Sequence, residues 1–69
     1  MKGKELKEAR QKLGLSQSAL AYAIGMSRVM IGLMERGDKP IEKRTELAIW
    51  CLLYEAGIES ARHPNVMRL

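Results

Sequence analysis

Sixty-nine residues, 46% hydrophobic and 29% charged, describe one small globular domain, a size at which only about 60% of the unfolded surface is buried and help from a partner is plausible. A single Cys51 and a single His63 exclude an internal disulfide and a zinc site, and the longest apolar run, 47–54, is too short to span a bilayer. A formal charge of +4 and a pI near 9.6 suit a polyanionic partner, though such a charge also serves plain solubility.

"MKGKELKEARQK" carries no apolar stretch of a secretory signal, so the expected address is the cytoplasm. Glycines at 14, 25, 37 and 57 each stand where a helix could close, and glycine commonly takes the left-handed position just past a helix end. Between them the apolar residues recur with helical rather than alternating spacing. The first helix covers about residues 2–13, with Leu6, Ala9, Arg10 and Leu13 on one face. The second, 16–24, opens on Ser16, a favoured N-cap residue, and turns Leu20, Ala21 and Ile24 inward. The third opens on Ser27 and stops before Gly37, and the fourth lies between Pro40 and Ala56. Residues 57–69 form a tail, interrupted by Pro64, in which no long helix is expected. The expected fold is therefore a compact all-α domain of four to five helices over residues 1–56, with 57–69 a candidate dimerisation segment. Only Gly25, Met26 and Ser27 separate the second and third helices, the joint of a helix-turn-helix.

The third helix, "GMSRVMIGLMERG" with its flanks, carries an oddity. At 100° per residue, Ile31, Met34 and nearby Met30 face inward as core, while Arg28, Val29, Gly32, Leu33 and Arg36 fall on the opposite side. A glycine inside a helix costs about 1 kcal/mol relative to alanine. That cost is understandable if the face must press closely against another surface. Arg28 and Arg36 flank the glycine, and arginine can pair bidentately with guanine or hold a phosphate. Val29 and Leu33 suit thymine methyl groups. The plain alternative is an exposed helix with stray apolar residues.

"LGLSQSALAYAIGMSRVMIGLMERGDKP", residues 13–40, resembles the helix-turn-helix of the Cro/C1 (Xre-type) family of phage-repressor-like regulators. The resemblance rests on Leu-Ser-Gln opening the second helix, Leu20-Ala21 within it, Gly25 at the turn, Ser27 opening the third helix, Ile31 in its core and Glu35-Arg36-Gly37 at its end. With the first and fourth helices it covers roughly residues 3–55. It implies a lambda-repressor-like fold and binding to double-stranded DNA. It further implies that Ser27, Arg28, Val29, Gly32 and Leu33 face base edges, and that Gln17, Lys39, Lys43 and Arg44 grip phosphates; Arg36 is assigned with them to the phosphates. Arg10 and Glu35 match a family ion pair between the first and third helices. Two positions depart from the family: Met34 replaces the frequent Trp or Leu, and Leu33 replaces a polar base reader. The sequence preference of relatives therefore does not transfer, and Arg28 becomes the expected direct reader.

The fourth helix, "IEKRTELAIWCLLYEAG", is apolar nearly all round, more than one small domain can bury. The expectation is a homodimer through Ile49, Leu52, Leu53, Val66 and Met67, with two third helices about 34 Å apart on an inverted repeat. The alternative is that the tail folds back over the helix. The expected function is a repressor of its own operon, of phage or mobile-element type (Cro-like, controller or anti-CRISPR-associated), with occupancy set by concentration because no sensing domain is visible. The rival reading is an antitoxin that binds both DNA and a toxin; a protein-interaction module without DNA binding is disfavoured by Arg28 and Arg36. No cofactor, metal or small-molecule ligand is expected. Ser16, Ser18, Ser27, Ser60, Cys51 and His63 offer no nucleophile and base at a recognisable spacing, so no enzyme is expected either.

Overall fold

A computed structural model describes residues 1–58, and over that span the chain forms four helices and no strand: α1 Gly3–Leu13, α2 Gln17–Ile24, α3 Arg28–Arg36 and α4 Lys43–Glu55. Val66 and Met67 lie outside the described residues. Each helix boundary has a local cause. The Lys2 backbone N–H donates to the Glu5 carboxylate at 2.7 Å, closing the first turn of α1. Ser16 Oγ accepts from Ala19 N–H at 3.0 Å, and Ser27 Oγ accepts from Met30 N–H at 3.1 Å. Such caps are worth about 1 kcal/mol each. Gly25 ends α2 with φ 71°, a conformation that L side chains resist. It lets Met26 N–H return to the Ala21 carbonyl at 2.8 Å, so that α3 can start two residues later.

The core takes two residues from each helix: Leu6 and Ala9, Leu20 and Ala21, Ile31 and Met34, Ile49 and Leu53. α3 packs on both α1 and α2, and α4 closes the bundle against the same pair. Gly3 marks a contact that spacing alone does not reveal. A Cβ there would collide with the backbone carbonyl oxygens of Met34 and Glu35, so the start of α1 lies directly on the last turn of α3. At the other side, the terminal ammonium of Met1 sits 3.5 Å from Glu46 Oε1, and Trp50 Nε1 donates to Glu46 Oε2 at 3.2 Å. The indole hydrogen bond is the main reason the Glu46 carboxyl titrates below its usual range; burial opposes it and the ammonium assists it.

The expected dimer face on α4 needs correction. Ile49 is 0% and Leu53 2% exposed within the single chain, and Leu52 packs against the same core half-buried. The buried seam is Thr45, Ile49, Leu53, a regular i, i+4, i+8 row. Of its apolar residues, α4 leaves Cys51 and Tyr54 outside, with Leu47, Ala48, Trp50 and Leu52 half-buried. Among the described residues no helix is long and apolar enough to cross a membrane.

Candidate nucleic-acid interface

The helix-turn-helix is held in register by a buried charged network. Arg10 on α1 reaches Glu35 on α3 with two parallel bonds, Nε to Oε2 at 2.6 Å and Nη2 to Oε1 at 3.2 Å. Its remaining Nη1 donates to the Leu15 carbonyl at 3.0 Å. Gln17, the first residue of α2, donates from Nε2 to Glu35 Oε1 at 3.1 Å. One carboxylate thus ties α1 and the start of α2 to the last turn of α3. The two charged side chains are only 14% and 5% exposed. Burial pushes the Glu35 carboxyl up, but the hydrogen bonds from Arg10 and Gln17 and the Arg10 charge outweigh it, leaving the group below its usual range. The same hydrogen bond from Glu35's side raises Arg10 against the opposing effect of burial.

The outward face of α3 is built on this platform. Arg28 and Arg36 are exposed, Val29 is 66% exposed, and Leu33 is half-buried. Ser27 stands exposed at the helix start, its hydroxyl oxygen occupied by the cap. Lys39, Lys43 and Arg44 are exposed along the α3–α4 loop and the first turn of α4, where Arg44 Nε pairs with Glu42 Oε1 at 3.1 Å.

Gly32 departs from expectation. It lies on the outward side by angle but is buried. A Cβ added there would meet Arg36 Nη1 at 3.6 Å and both terminal atoms of the Gln17 amide at 3.9 Å. The glycine is therefore roofed by two side chains and does not itself present a bare surface. Gln17 is likewise less free than a phosphate clamp would be, since one amide N–H is committed to Glu35. Its backbone N–H and that of Ser18 still open α2, where the helix dipole favours an anion. Sequence reasoning also missed Asp38, whose Oδ2 accepts from Arg36 Nε at 3.2 Å. An acidic residue two positions after an exposed arginine was the available signal.

The family profile described as helix-turn-helix matches residues 6–45, more than half of the chain. The chain belongs to the Cro/C1-type helix-turn-helix family. No curated protein and no solved structure matches it. The family is one of DNA-binding regulators, and the matched span runs from Leu6 in α1 to Thr45 in α4, so that it takes in the Arg10–Glu35–Gln17 network and every exposed cation on α3 and its following loop. In helix-turn-helix proteins the second helix of the motif is the one that enters the groove, which in this chain is α3.

Proposed function

We propose that this regulator binds an inverted-repeat operator as a homodimer and represses the operon that encodes it, acting in the cytoplasm. The observation that carries this reading is the division of α3. Ile31 and Met34 are buried, while Arg28 and Val29 stand exposed on the opposite side of the same two turns. In this reading α3 lies in the major groove with Ser27, Arg28, Val29 and Leu33 toward base edges. Arg28 supplies the bidentate donors, and Val29 with Leu33 meets thymine methyls. The open N–H groups at the start of α2, with Lys39, Lys43 and Arg44, hold phosphates on either side.

The second copy is assigned to the outer face of α4 around Cys51 and Tyr54, the part of that helix not used by the chain's own core. A gel-shift titration with the DNA immediately upstream of the gene, competed by random DNA at physiological salt, tests the operator. Binding that survives competition and protects two half-sites about 34 Å apart supports it. Binding abolished by random competitor argues against an operator there, and sedimentation of a monomer on that DNA argues against the dimer.

A further inference from the structure

Gly32 and Arg36 form a unit whose purpose the fold alone does not explain. Cα–Cβ bonds in a helix tilt toward its N-terminus, so a long side chain lies over the turn before it. For Arg36 that turn is Gly32, four residues earlier. With no side chain at 32, the guanidinium lies over that turn: its Nη1 stands 3.6 Å from where a Cβ would be, and the Gln17 amide stands 3.9 Å from the same point. Asp38 Oδ2 accepts from the Nε of the same guanidinium at 3.2 Å. Arg36 and Asp38 side chains remain 64% and 59% exposed. The outcome is an arginine drawn back from the end of α3 toward its middle. Its charge is partly balanced, and its two terminal nitrogens are not taken by Asp38.

The arrangement keeps a fork that also fits a phosphate bidentately, but it gives up part of the net charge that a phosphate contact rewards. It is a good arrangement for an end-on bidentate contact, in which two N–H groups meet O6 and N7 of a guanine. Val29 lies seven residues before Arg36 and so on the same line along the helix surface. The guanidinium therefore reaches toward the turn that carries Val29 and Leu33.

We propose that Gly32 is a seat for the Arg36 side chain and that Arg36, so seated, reads a guanine in the major groove beside the apolar contact of Val29 and Leu33. This rests on α3 being the groove helix, and it moves Arg36 from the phosphate contacts to the base readers.

The test is selection of bound sites from a random double-stranded DNA library by the intact protein and by variants, followed by affinity measurement on every base at each selected position. Wild type selects a guanine for Arg36 at one position of each half-site, separate from the position that Arg28 reads, with about ten-fold or greater discrimination. R36A and R36K both lose that discrimination and leave the other positions unchanged, since lysine keeps the charge but lacks the planar fork. G32A keeps it, because a methyl at 3.6 Å is ordinary contact. G32Q crowds the seat and reproduces R36A, with its fold checked by circular dichroism. The proposal is overturned if R36K retains the wild-type preference, or if R36A weakens all sequences equally and lowers the salt slope by about one. If R28A alters its own base position while R36A alters none, only the role of Arg36 fails. If no α3 variant alters any selected base, the reading of α3 as the groove helix fails with it.

Discussion

Two arginine–carboxylate pairs meet at adjacent residues of one helical turn and have opposite characters. Glu35 faces inward and joins Arg10 and Gln17 in a network with side chains 14% and 5% exposed at the ion pair. Arg36, the next residue, faces outward and meets Asp38 with both side chains more than half exposed. The chemistry of the pairs is the same, so the surroundings decide what each can do. A mostly buried pair has lost most of its water and must stay matched, which suits holding three helices in place. An exposed pair gains little from its own Coulomb energy and is easily exchanged for another partner, which suits a DNA-facing group.

Breaking the buried pair should give the largest effect. Arg10→Ala or Glu35→Ala should each destabilise the domain by about 3 kcal/mol or more, because the remaining charge is left buried and unpaired. Urea denaturation measures this, and the double replacement R10M/E35L should cost less than either single change. A single-variant cost below about 1 kcal/mol would place this pair with the exposed one and erase the contrast.

The platform itself can be strained without touching a charge. Gly3→Ala forces a methyl onto the Met34 and Glu35 carbonyls, and should cost about 1–3 kcal/mol by overpacking. Gly32→Ala meets only ordinary contact and should be neutral or stabilising by up to about 1 kcal/mol. Opposite signs for two glycine-to-alanine changes, read as shifts in thermal midpoint, would separate the packed side of α3 from its outward side.

Acid acts on the inward pair through Glu35. Glu35 titrates below its unfolded value when the protein is folded. Its stabilisation is therefore present above the unfolded glutamate pKa of about 4.3, and it disappears as pH falls through the lower folded value. Glu35→Gln should flatten that acid limb in thermal melts followed between neutral and acidic pH; an unchanged limb would show that other carboxylates dominate it. The smallest effect is expected from the exposed pair, where Asp38→Asn should shift stability by no more than about 0.5 kcal/mol. A larger loss would mean that Asp38 has a structural role.

Much of this was legible from residue order. Serines at 16 and 27 and glycines at 14, 25 and 37 mark the helix ends because capping and left-handed termini are local events. Arg10 is a charge on an apolar face, and its pairing with Glu35 was implied by the family resemblance. α4 was harder: its apolar residues surround the helix, and the buried row includes a polar Thr45, so periodicity could not choose which side faces inward. Ile49 and Leu53 therefore looked available to a second chain when they belong to the core. Gly3 and the roof over Gly32 depend on contacts between helices distant in sequence, and no local pattern carries them.

Whether the outward face of α3 reads sequence is tested by comparing Arg28→Ala and Lys43→Ala for affinity to a selected operator and to random DNA over a range of salt. R28A should weaken operator binding by about 1–3 kcal/mol and leave random DNA nearly unaffected. K43A should weaken both alike and reduce the salt slope by about one. Equal losses on both DNAs for R28A would contradict the assignment of the outward face of α3 as the surface that reads sequence.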